Sequence, residues 1–204
     1  LQPSFYIFLL LQEKASACVA CGRCVSHCPQ GLDIPRRLAA VTAEPLAVPG
    51  CRTRPLGALR YVACASPGFM ARHFPQGVTA AALAQAPVLQ FDRKDGLQAR
   101  WLRHHLDLPL QAPTHQLPST QGFLDASLLG LGWGLHPLPL VAAPLAEGRL
   151  VELLPGAGLE VGLHWQHARL GARLLEALTR EVVAEARRCL IPPDAGIAGL
   201  AGAD

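Results

Sequence analysis

Cys18, Cys21, Cys24 and Cys28, followed by Pro29, spell C-x2-C-x2-C-x3-C-P. Thiolates ligate iron and zinc, and this spacing is that of the bacterial ferredoxin run. Three cysteines at intervals of three fit a tight loop that wraps one corner of an iron–sulfur cube. Gly22 permits the turn and Pro29 ends it. No second run follows in the sequence. Either Cys28 completes a single 4Fe–4S cluster, or another segment supplies its partner. The alternative is zinc with His27 as a spare ligand, but zinc sites normally pair two such knuckles across a longer spacer.

The stretch 15–38, "ASACVACGRCVSHCPQGLDIPRRL", resembles the iron–sulfur tail of some bacterial aldo/keto reductases. That resemblance implies an electron-transfer segment of an oxidoreductase. The catalytic barrel of such an enzyme would lie upstream. Elsewhere no Ser/His/Asp set, paired carboxylates or glycine-rich phosphate loop stands out, so no enzyme active site is expected. The other cysteines, Cys51, Cys64 and Cys189, are scattered, unlike a disulfide framework. A clustered thiol site fits a reducing compartment, hence the cytoplasm.

Composition narrows the class further. Half of the 204 residues are hydrophobic, 16% are charged, and the net charge is +3 without a dense basic run. That suits a folded domain and gives no electrostatic case for direct nucleic-acid binding. The apolar run 5–11 is seven residues long, whereas a membrane span needs about 20. Residues 1–14 are expected to be an apolar fragment of something truncated upstream.

From about residue 40 strands and helices alternate, as in an α/β fold. Strands are expected at 58–66, 87–91, 114–118, 133–137, 149–155 and 159–167. Helices are expected at 78–86, 95–106, 119–132 and 169–190, with a short helix or turn at 139–148. In the last helix Leu170, Leu174, Leu178 and Val182 form an i,i+4 stripe, which predicts an apolar face. His104 and His105 read as a solvated face, and Cys64 as a small buried hydrophobe.

The motifs "PLGALRY" (55–61), "SPGF" (66–69), "FPQGVT" (74–79), "FDRKD" (91–95) and "GLGWGLHP" (130–137), in this order, resemble the effector-binding domain of LysR-type transcriptional regulators. The likeness is to the branch that senses lysine and arginine, and it covers about 39–204. It implies a periplasmic-binding-protein-like α/β effector domain of two subdomains, joined by two chain crossings. Residues 39–56 would be the crossing segment and 57–155 the complete second subdomain. Residues 156–190 would be a remnant of a truncated first subdomain, and 191–204 a flexible tail. The winged helix that binds DNA in this family would lie outside this sequence. A homo-oligomer is implied for the full-length regulator. The ferredoxin-like loop at 15–38 stands where the first subdomain should be, which leads us to expect a chimera from a rearranged or misassembled gene.

A basic amino acid presents a carboxylate and two cationic groups. Ser119 and Thr120 open a helix directly after a strand, where free N–H groups and the helix dipole suit a carboxylate. Ser119 could equally serve only as a helix cap. Asp92 follows the strand 87–91, at the end where α/β folds place ligands. It could pair with an ammonium group, or simply form a turn. Asp95 reads as the N-cap of the next helix. Trp133 could wall the cleft or belong to the core.

Overall fold

The computed structural model describes residues 40–43, 51–168 and 172–193. The cluster candidates Cys18, Cys21, Cys24 and Cys28 and the apolar run 5–11 lie outside these residues. The strands are β1 (Ala40–Thr42), β2 (Cys51–Ala65), β3 (Val88–Gln90), β4 (Thr114–Gln116), β5 (Gly134–Pro137), β6 (Val151–Glu152) and β7 (Leu159–Ala168). The helices are α1 (Pro67–His73), α2 (Ala80–Gln85), α3 (Leu97–Leu106), α4 (Thr120–Leu128), α5 (Leu138–Ala146) and α6 (Ala172–Cys189). The chain divides into two units. One spans Arg60–Leu159, and the described residues on either side of it form the other. The chain therefore passes between units twice, within β2 and at the start of β7.

The central unit is built on the end of β2. Tyr61 to Cys64 pair antiparallel with β5 in the register Tyr61↔Pro137 to Cys64↔Gly134. Cys64 and Ala65 also pair with β6. β5 meets β3 through a parallel bridge, Val88↔Trp133, and β3 pairs parallel with β4, Val88↔Thr114 to Gln90↔Gln116. The two-residue period of a strand sends alternate side chains to opposite faces. On one face Trp133 packs at a tilt against Trp101 of α3, with centroids 5.7 Å apart. On the other, His136 meets Phe123 of α4 edge-on at 4.9 Å, and Leu89 clusters with Phe123 and Ala126.

Gly134 lets α4 come this close. A Cβ there would lie 2.7 Å from Phe123 Cε1, closer than carbon atoms can pack. Cys64 is fully buried, as expected, and burial pushes its thiol up to about 12. α1 was not foreseen from the sequence. Its signals are local: Ser66 Oγ accepts from Phe69 N, and Pro67 takes the first turn, where a missing N–H costs nothing.

In the flanking unit β1 runs antiparallel to β7, which neighbours β2. Trp165 Nε1 donates to Thr179 Oγ1 of α6 at 2.9 Å. Ala58 and Ile191 exchange two backbone hydrogen bonds of 2.9 Å. Gly57 makes that possible, since at its φ of +133° a Cβ would strike the Ile191 carbonyl. Among the described side chains of the expected α6 stripe, Val182 is buried as expected and Leu178 is not. Val182, Ala186 and Leu190 are buried while Leu178 is 45% exposed. The buried row continues the expected i,i+4 stripe from Val182, and Thr179, which meets Trp165, faces the sheet beside it.

His136 is buried, and Ser127 Oγ lies 2.8 Å from its Nε2. Burial pulls its pKa down from 6.5 to about 3. A histidine held neutral in the fold but free to charge when unfolded stabilises the protein above pH 6.5. That stability is lost as pH falls towards the folded value. The protein should therefore be about 2 kcal/mol less stable at pH 5 than at pH 7.5 through this group. Urea unfolding of wild type and His136→Gln at both pH values checks this, with a flatter dependence expected for the variant.

Candidate functional site

The carboxyl ends of β3 and β4 lie side by side, because Leu117 N donates to Gln90 O at 2.9 Å. Two residues beyond β3 comes Asp92; three beyond β4 comes Ser119. The parallel pairing thus carries Asp92, Ser119 and Thr120 to one edge of the central unit, although 27 positions separate Asp92 from Ser119. Asp92 and Ser119 are exposed and Thr120 is half-buried. This is the strand end at which open α/β sheets receive ligands.

The local chemistry is mixed. Ser119 caps α4, its Oγ accepting from Gly122 N at 3.2 Å. One carboxylate oxygen of Asp92 accepts from Lys94 N at 2.7 Å and from Asp95 N at 3.0 Å. Such an Asx turn fixes the carboxylate without neutralising it. Trp133 is not brought to this edge. It is wholly buried, packed on Trp101 beside the start of β3, and its Nε1 has no partner among the described residues.

Asp95 does more than begin a helix. Its Oδ1 accepts from Leu97 N at 3.1 Å. Its Oδ2 accepts from Phe91 N at 2.8 Å and from the buried Gln98 Nε2 at 3.1 Å. The Asp95 carbonyl accepts from Gln90 Nε2 at 3.0 Å. These bonds lock the β3–α3 turn that presents Asp92. Nearby, burial pushes the Tyr61 phenol up to about 12, with Asp95 adding to the shift and Arg100 opposing it. Burial lowers the Arg100 guanidinium, and Tyr61 opposes that change.

A second constellation was missed at the sequence level. Arg60 Nη2 donates to Gly156 O at 3.2 Å. Trp101 Nε1 donates to Ala157 O at 2.6 Å. His105 Nε2 lies 3.0 Å from Gly158 O, so the expected solvated face holds for the exposed His104 but not for His105. The i,i+4 spacing of Trp101 and His105 places both on one helix face, which was the available clue. Among the described residues no group of three or more His, Cys, Asp or Glu side chains could hold a metal ion. Nor is any described helix long and apolar enough to cross a membrane.

The family described as the LysR substrate binding domain matches residues 39–187. The transcriptional regulator LysG of Mycobacterium tuberculosis is 44% identical over 73% of this chain and 49% of its own length. ArgP of Pseudomonas aeruginosa is 47% identical over 71% of this chain and 47% of its own length. This chain thus spans about half the length of the curated relatives it matches.

Among solved structures, the C-terminal domains of a LysR family protein from Agrobacterium tumefaciens match with a TM-score of 0.75. They are 50% identical, over 91% of this chain and 92% of that one. Full-length LysG from Corynebacterium glutamicum with bound effector Arg matches at 34% identity and a TM-score of 0.66, over 82% of this chain and 56% of that one. The periplasmic-binding-protein-like α/β expectation stands on these matches. The reductase-tail resemblance of 15–38 and the expected chimera find no support in them.

Asp95→Ala orphans Phe91 N, Leu97 N and Gln98 Nε2 together. It should cost roughly 2–3 kcal/mol, clearly more than Asp92→Ala, whose donors face water. Chemical denaturation of the two variants against wild type measures the difference, and equal losses would contradict the role given to Asp95.

Proposed function

This chain belongs to the LysR substrate-binding-domain family, and on that premise we propose that it is the effector-sensing part of a transcriptional regulator responding to lysine or arginine. The observation that carries the reading is the convergence of an acidic side chain and a helix N-terminus on one edge of the central unit. Asp92 supplies a carboxylate, held by the turn it forms, for an effector ammonium or guanidinium. Ser119 and Thr120 open α4, whose first N–H groups and dipole favour the effector carboxylate. A zwitterion with an additional positive charge is the ligand that satisfies both ends at once. Relatives with known names support the choice, since LysG of Corynebacterium glutamicum was solved with bound Arg.

As part of a regulator the chain would work in the cytoplasm, in a homo-oligomer that reaches DNA through a winged helix rather than through this domain. No catalytic step is assigned to it, and the relatives compared are named as transcriptional regulators. The effector domain is proposed to need no cofactor. A separate reading concerns Cys18, Cys21, Cys24 and Cys28, whose spacing suits a 4Fe–4S cluster. Iron and acid-labile sulfide assays on anaerobically purified protein decide it, and the absence of both ends that reading.

Calorimetry with L-arginine, L-lysine, L-citrulline and L-glutamate tests the sensor. Arginine or lysine should bind and raise the melting temperature, and the other two should not. Asp92→Asn should weaken binding by about 10-fold to 100-fold, the worth of a charge-assisted hydrogen bond. Undiminished binding by Asp92→Asn would remove this residue from the site, and equal binding of all four compounds would refute the sensor.

A further inference from the structure

Three consecutive carbonyls, those of Gly156, Ala157 and Gly158, are each held by a side chain from far away in sequence. Arg60 holds the first at 3.2 Å, Trp101 the second at 2.6 Å and His105 the third at 3.0 Å. The separations are 96, 56 and 53 residues. Most side-chain hydrogen bonds to the backbone are local, in caps and turns, so three successive long-range ones mark a segment whose position is specified. Glu152 adds a fourth restraint, its carboxylate accepting from Gly156 N at 2.8 Å. Gly158 has no side chain because Arg60 lies against it: a Cβ there would come 2.5 Å from Arg60 Nε.

The place of this segment gives the restraint a purpose. Residue 159 begins β7, and the central unit ends at Leu159. Arg60 is the first residue of that unit on the other crossing. The segment is therefore the point at which the chain leaves the central unit. Two of its three clamps come from α3. The other end of α3 is anchored by Asp95, whose carboxylate accepts from Leu97 N and Gln98 Nε2. Asp95 also donates its own N–H to the Asp92 carboxylate. A continuous hydrogen-bonded path thus runs from Asp92, through Asp95 and α3, to the carbonyls that precede β7.

We infer that α3 couples the two: His105, Trp101 and Arg60 are positioning residues that carry effector occupancy at Asp92 to the start of β7. This deepens the sensor reading and rests on it. A cationic group seated on the Asp92 carboxylate holds this turn, and with it α3, more firmly in the position it has here. Trp101 is wholly buried, with no room to shift independently of its helix. Any displacement of α3 is thus passed to Ala157 O and Gly158 O. None of the three is among the residues proposed to bind the effector, so their removal separates binding from response.

The test uses the full chain with L-arginine and L-lysine as probes. Calorimetry reports binding, and hydrogen–deuterium exchange reports the backbone amides of 159–161. In wild type, effector should slow exchange at these amides. His105→Ala should bind effector within about threefold of wild type, yet lose the effector-induced slowing at 159–161. His105→Gln keeps an N–H donor at that position and should restore it, which a purely structural loss would not. Arg60→Ala serves as a second variant on a different element, with the same split expected. If wild type binds neither amino acid, the sensor reading fails and this inference falls with it. If wild type binds and responds while His105→Ala and Arg60→Ala respond equally, the coupling alone is refuted.

Discussion

The approach of α4 to the sheet of the central unit is the constraint on which the candidate site depends. Helices stand off a sheet because close-packed side chains fill the gap. Here Gly134 leaves its position on β5 empty, and Phe123 occupies the space. The contact continues through the Phe123–His136 edge and the Ser127–His136 hydrogen bond. A helix fixed along its length has a fixed first turn. Ser119 and Thr120 therefore stand at a defined place beyond β4, beside the end of β3.

The opposite face of the same sheet is filled differently. Trp101 and Trp133 supply bulk where the α4 face uses glycine. Two large indoles leave polar atoms to be accommodated. Trp101 Nε1 reaches Ala157 O, and this demand for a partner explains why a loop carbonyl is drawn against the helix. Burying an indole N–H without an acceptor is unfavourable. Trp101 thus belongs both to the core of this face and to the set of side chains that fix the segment before β7.

The acidic residues of the β3–α3 turn show how similar residue types acquire different work. Asp92 and Asp95 are three positions apart. Asp95 is half-buried and spends both carboxylate oxygens on the fold, whereas Asp92 is exposed and spends one on its own turn. An exposed carboxylate on a rigid turn can meet a cationic ligand at little cost in ordering. What separates the two carboxylates is burial, not chemistry.

Hydrophobic periodicity, caps and breakers located most of the alternating elements from β2 to α6, because these signals act within one or two turns of chain, although β2 begins at Cys51, ahead of the strand expected at 58. The cap of α4 by Ser119 and the burial of Cys64 were legible for the same reason, and the motif order announced the family. The sequence did not reveal α1, although Ser66 and Pro67 encode its start, since a seven-residue helix has too short a period to read. Nor did it show that Leu178, on the same i,i+4 row as the buried Val182, would be exposed. A stripe of leucines shows which side is apolar but not which distant side chain, here Trp165 reaching Thr179, the helix will meet. The convergence of Asp92 with Ser119, the withdrawal of Trp133 into the core, and the grip of Arg60, Trp101 and His105 on three successive carbonyls were decided by tertiary structure alone. Each depends on strand pairing or packing between residues tens of positions apart, and local chemistry holds no record of which distant partner the fold will bring.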